Sequence, residues 1–148
     1  MTIQYHSLLQ GLGDALGIPD MAFEGNTCTL LVENTHPLSI VKDETRQCLI
    51  LSGVTANELP DPLEHGLAEF LLQTALNPMF GSGPAIGLDP ESGLLVAYAV
   101  LDCRDLTPED VGAAGLQFLT FQMLAAERIR TGSTPPQKNI PAQGAMPV

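Results

Sequence analysis

Apolar residues recur along this chain in a helical rhythm at three places and in short dense runs between them. From Gln4 to Leu16 the spacing is helical, with Tyr5, Leu8, Leu9, Leu12 and Leu16 on one side of a 3.6-residue period. Gly11 and Gly13 weaken this helix intrinsically, so it needs tertiary support. Gly17-Ile18-Pro19-Asp20 ends it. Three dense runs follow, at Thr27–Glu33, Leu38–Lys42 and Gln47–Ser52. Between them lie Asn34-Thr35-His36-Pro37 and Asp43-Glu44-Thr45-Arg46, rich in side chains that bond their own backbone in turns. Connections this short imply an antiparallel meander.

Helical spacing returns after Asp61-Pro62-Leu63-Glu64. Asp61 suits the N-cap, Pro62 the first helical position, and Glu64 the residue three after the cap. Leu63, Leu67, Phe70, Leu71 and Leu76 form the stripe, which stops before Asn77-Pro78 because a residue preceding proline is pushed out of the α region. Gly81-Ser82-Gly83-Pro84 reads as a loop, Ala85–Leu88 as a short strand, Asp89-Pro90-Glu91-Ser92-Gly93 as a hairpin turn and Leu94–Leu101 as the returning strand. Thr107-Pro108-Glu109-Asp110 repeats the cap-plus-proline signature and opens a third helix reaching about Arg130. Val111, Leu116, Phe118, Leu119, Met123 and Leu124 are among its apolar positions, and Arg128 and Arg130 suit the negative end of its dipole. Residues 131–148 are rich in Pro, Gly and Gln with one charge, Lys138, and read as a flexible tail. The order α-β-β-β-α-β-β-α, with strands in hairpins beside segregated helices, predicts one α+β domain over residues 1–130, an antiparallel sheet flanked by helices.

The strands do not alternate. Thr27–Val32, Cys48–Leu51 and Leu94–Leu101 are apolar on both faces, whereas a sheet with one solvated face alternates. The second face needs a cover: a second subunit, a client polypeptide, or more of the same chain. Charge sharpens the point. With 17 Asp+Glu against 6 Lys+Arg the formal net charge is −11, which opposes random association. The same charge argues against nucleic acid, which is bound through Lys and Arg, and against anionic membranes. No apolar run approaches the roughly 20 residues that cross a bilayer. Met1-Thr2-Ile3-Gln4-Tyr5-His6 has neither a basic nor an apolar signal region, so a cytoplasmic location is expected.

No catalytic or metal constellation stands out, and no cofactor is expected. His6, His36 and His65 are dispersed, and only Glu69 shares a helical face with His65. The glycines around Gly81, Gly83 and Gly87 fit neither phosphate-loop spacing. Cys28, Cys48 and Cys103 form an odd set without CxxC spacing, read as reduced buried thiols. Asp102, Asp105, Glu109 and Asp110 suit the positive end of a helix, or a rim for a basic client segment; calcium-loop spacing is absent.

Several local motifs in this order resemble the type III secretion chaperone family of the Tir-chaperone (CesT-like, class I) type. Ala85-Ile86-Gly87-Leu88-Asp89-Pro90-Glu91-Ser92-Gly93-Leu94-Leu95-Val96 resembles its strand, LDP..G turn and apolar strand. Cys28-Thr29-Leu30-Leu31-Val32 resembles its first strand, Gln47-Cys48-Leu49-Ile50-Leu51-Ser52-Gly53 its third, and Leu101-Asp102-Cys103-Arg104-Asp105-Leu106-Thr107-Pro108-Glu109-Asp110 the lead into its last helix. The resemblance covers about residues 4–130. It implies a non-enzymatic homodimer in a bacterial cytoplasm that binds an extended segment of a virulence effector, keeps it secretion-competent, and has the secretion ATPase as a further partner. Leu8, Leu12, Leu31, Leu49 and Leu51 are then expected at the client surface, and Leu67, Phe70, Leu71 and Val96 at the dimer contact. Two alternatives stand beside it. One is a small-molecule-binding or thiol enzyme domain with Cys28 or Cys103 reactive. The other is a chaperone-like regulator that sequesters a transcriptional regulator.

Overall fold

The first apolar stripe winds into α1 (Tyr5–Leu16), which buries Leu8, Leu9 and Leu12. In this computed structural model, which describes residues 2–32, 36–81 and 83–132, the chain then runs through β1 (Thr27–Val32), β2 (His36–Asp43) and β3 (Cys48–Ala56). After α2 (His65–Thr74) and a single turn α3 (Asn77–Phe80) come β4 (Ala85–Leu88), β5 (Leu95–Asp102) and the long α4 (Pro108–Thr131). The five strands form one antiparallel sheet in the order β1-β2-β3-β5-β4. This is the α+β architecture the sequence predicts, with α3 added. The loop residue Ser82, the turn residues 33–35 and the tail beyond Gly132 lie outside the described residues.

Two element ends differ from expectation. Asp61 does not cap α2. The cap is Glu64, whose carboxylate accepts from the Leu67 N–H at 3.1 Å, so the helix starts at His65. Its other end comes at Thr74, whose hydroxyl donates to the Leu71 carbonyl at 2.8 Å and accepts the Ile86 N–H at 3.2 Å. The chain then restarts as α3 with Pro78 in the first turn, where its missing N–H costs nothing. The cap of α4 is as the sequence predicts: Thr107 and Asp110 exchange hydrogen bonds, each 3.1 Å. The β4–β5 turn is held by Asp89, which accepts from the Glu91 N–H at 3.1 Å and the Ser92 hydroxyl at 2.8 Å, while Gly93 takes a φ of 78°.

One sheet face is covered by α1 and α4. On it lie Leu38, Ile40, Leu49, Leu51, Leu95 and Ala97, all buried. α4 approaches β3 so closely that a Cβ on Gly53 would collide with the Gln122 amide. The glycines of α1 are explained by packing as well. A Cβ on Gly11 would collide with the Pro108 backbone, and on the facing helix a Cβ on Gly115 would collide with Leu12. The expected helix weakness is thus the condition for α1 and α4 to meet.

Candidate functional site

Chemistry of the thiol-enzyme kind finds no support among the described residues. Cys28, Cys48 and Cys103 are all buried and free. Burial pushes each thiol up, Cys103 to about 11, the opposite of a nucleophile's lowered pKa. Among the described residues no group of three or more His, Cys, Asp and Glu could hold a metal. His65 Nε2 lies 3.2 Å from Glu69 on an exposed helical face. Of the acidic cluster, Asp110 caps α4 and Asp102 is held at about 2 by its hydrogen bonds from Arg104. Asp105 and Glu109 are the two exposed members without either task.

What the described residues do present is uncovered apolar surface, and three stretches of it lie around the sheet and α2. The first is a groove of about 450 Å³ between the end of α1, β1 and α4, walled by Leu16, Ile18, Leu31, Leu116 and Met123. Leu31, 53% exposed, adds to this apolar patch. Beside the groove runs an open edge. β1 is the outermost strand, and Thr27 uses its N–H and C=O on Glu24 rather than on β2. By the two-residue period of a strand, Thr29 and Leu31 also direct their backbone groups outward. The second is the outer side of α2 and α3, where Leu72, Met79 and Phe80 are 72%, 68% and 69% exposed and Leu76 is exposed with them. The third is the sheet face away from α4, where Ile50, Val54 and Val96 are half-buried and Val100 is exposed.

The residues expected at these surfaces divide. Leu31 is exposed at the β1 edge of the groove, its side chain on the strand face opposite Cys28 and Leu30. Leu8, Leu12, Leu49 and Leu51 are not surface residues: Leu49 and Leu51 sit on the strand face that α4 covers, and Leu8 and Leu12 fill the α1–α4 contact. Leu67 is fully buried and also belongs to the core. Phe70, Leu71 and Val96 are half-buried. Sequence reasoning assigned no partner role to Leu116 and Met123, nor to Leu72, Met79 and Phe80. No local signal singles them out, since adjacent apolar pairs elsewhere in the chain, Leu8-Leu9 and Phe118-Leu119, are buried together.

Open apolar faces on a strongly acidic chain are the kind of surface through which a protein binds other polypeptides. The model of the Tir chaperone protein (CesT) family matches residues 7–130, and the chain belongs to that family. The solved structure of the HopA1–SchA chaperone–effector complex is similar at a TM-score of 0.69 and 28% identity, over 83% of this chain and 93% of the matched one. The Yersinia pestis type III secretion chaperone SycH, in complex with a stable fragment of YscM2, gives a TM-score of 0.65 at 14% identity, over 85% and 99%. The ExoT–SpcS complex from Pseudomonas aeruginosa gives 0.59 at 20%, over 88% and 100%. The last two establish the fold alone. No curated protein matches the sequence significantly.

Proposed function

We propose that the protein is a type III secretion chaperone, a homodimer in a bacterial cytoplasm that holds an extended N-terminal segment of an effector soluble and ready for export, without catalysis. The carrying observation is the pairing of the Leu16–Leu31–Met123 groove with the open β1 edge. An extended polypeptide gains main-chain hydrogen bonds from Thr29 and Leu31 at such an edge, and its alternate side chains enter the apolar groove. Family membership and the likeness to a chaperone–effector complex support the same reading. The chaperone would then present the effector to the secretion ATPase.

The dimer is assigned to the α2–α3 side. Leu72, Leu76, Met79 and Phe80 make a patch too apolar to face water on a lone subunit. Leu71 and Val96 keep apolar surface free for a partner, whereas Leu67 is committed to the core. A twofold contact uses the same patch on both subunits.

The test is purification of the protein from its native cytoplasm, identification of what it carries by mass spectrometry, and light scattering of the complex. The wild type should emerge as a dimer holding the N-terminal region of one secreted protein. Leu31→Asp with Met123→Asp should keep the dimer mass and circular dichroism and lose that cargo. Undiminished cargo on the variant, or a client-free monomer with a bound metabolite, would overturn the reading.

A further inference from the structure

A second cavity lies between α2 and α4, away from the β1 groove. It measures about 500 Å³ and is walled by Phe70, Phe121, Leu124 and Ala125, with Arg128 at its side. Leu124 is 66% exposed, so the cavity opens to solvent along α4. An apolar hollow of this size accepts one or two aliphatic or aromatic side chains.

Arg128 gives the hollow its chemistry. Among the described residues, Lys42 pairs with Glu44 at 3.4 Å, Arg46 with Asp43 at 3.4 Å, Arg104 with Asp102, and Arg130 with Glu127. Among the described Lys and Arg residues, Arg128 alone has no carboxylate within 4.0 Å, in a protein with 17 Asp+Glu. Its guanidinium carbon lies 4.2 Å from the centre of the Phe70 ring, which holds the side chain against the cavity wall. Its Nε is buried and has no hydrogen-bond acceptor. Glu127, also on the rim, is turned to Arg130, whose Nε donates to it at 3.2 Å, so it does not neutralise Arg128. An arginine stacked on an aromatic ring and without a carboxylate of its own has its guanidinium plane held, so its terminal amino groups are preorganised for a carboxylate brought into the cavity.

From this we infer that the α2–α4 cavity is a second client subsite, reading an apolar side chain followed by Asp or Glu in the bound effector segment. The inference rests on the chaperone reading above. It also gives the subsite a role. A protein of formal charge −11 repels acidic polypeptide at long range, so one place where an acid is rewarded fixes the register of an otherwise non-acidic segment. The groove at β1 contributes apolar contact and main-chain pairing, which any extended apolar segment can use. Arg128 adds discrimination.

Two probes test this on the full-length protein: an acetylated, amidated peptide with a Leu-Asp pair among Ser and Gly residues, and its Leu-Asn counterpart. Titration is followed by NMR, reading the Arg128 Nε–H and the Phe70 ring. The Leu-Asp peptide should bind about tenfold more tightly than the Leu-Asn peptide and shift the Arg128 Nε–H, as a charge-assisted hydrogen bond requires. Arg128→Gln should bring the Leu-Asp affinity down to that of Leu-Asn and leave the latter unchanged. Arg128→Lys should retain part of the preference. Equal affinities in the wild type, shifts confined to the β1 groove, or absence of any shift at millimolar peptide would overturn the subsite. A change of dimer mass in Arg128→Gln would overturn it too, since the cavity would then be filled by the second copy. Discrimination between the peptides by a protein that carries no secreted cargo would sink the chaperone reading and leave the subsite standing.

Discussion

At the scale of single residues, the polar group that matters most to the core is Gln122. The register of β2 with β3 pairs Ser39 with Ser52 and runs toward Pro37 opposite Val54, where proline has no N–H to give the ladder. Gln122 reaches in from α4 instead, and its Nε2 donates to the Pro37 carbonyl at 3.0 Å and to the Val54 carbonyl at 3.2 Å. Gly53 leaves the room for it. Gln122→Leu should therefore cost about 1–3 kcal/mol in urea unfolding, from carbonyls left without a donor. Pro37→Val supplies the missing strand N–H, so the double variant should lose less than the sum of the singles, with a coupling of at least about 0.5 kcal/mol. Strict additivity would show that Gln122 does not substitute for the ladder. Cys103 gives a second residue-scale test. Its folded-state pKa is about 11 against an ordinary 9.0, chiefly through burial, so the unfolded chain releases this proton first as pH rises. The corresponding stability is complete below pH 9 and is lost between about 9 and about 11. Unfolding curves across that window should fall more steeply for the wild type than for Cys103→Ala, and equal slopes would refute the burial argument.

Among the elements, the contact of α1 with α4 is the one that glycine makes possible. Gly11 meets Pro108, and Gly115 meets Leu12. A Gly11→Ala change gains helix propensity on an isolated peptide yet should destabilise the protein by about 1–3 kcal/mol, because the added methyl has only backbone in front of it. A neutral or stabilising result in thermal unfolding would mean that the two helices can slide apart. The same pair of helices marks the limit of what the chain reveals unaided. Element order was readable from apolar spacing, the cap of α4 from Thr107 and Asp110, and the β4–β5 turn from Asp89 and Gly93, because each of these is decided within a few residues. Which strand face α4 would cover is decided by packing across the whole sheet. Both faces of β3 are apolar, so alternation alone could not say that Leu49 and Leu51 point inward while Ile50 points away. The site followed the same division: Leu31 is exposed because β1 lies at the sheet edge, a place set by strand order and not by apolar spacing, whereas Leu8, Leu12 and Leu67 are claimed by neighbours distant in sequence.

For the whole molecule, charge and apolar surface act against each other at the proposed dimer contact. Two copies at −11 each carry 2 × (−11) = −22, and that charge opposes their approach. The Leu72–Leu76–Met79–Phe80 patch must supply the attraction. Raising NaCl from about 0.01 M to about 1 M shortens the Debye length from about 30 Å to about 3 Å, which removes the repulsion and leaves apolar burial intact. Sedimentation across that range should show the dimer tightening with salt, the reverse of an interface built on ion pairs. Leu72→Asp with Phe80→Asp should yield a monomer at every salt concentration. Both side chains are more than two-thirds exposed in the single chain, so this monomer should keep the wild-type circular dichroism and melt as a folded domain. A variant that stays dimeric would move the contact to another uncovered apolar surface, such as the sheet face of Ile50, Val96 and Val100. A variant that unfolds would show that the patch belongs to the subunit's own core and that the fold is completed only by its partner.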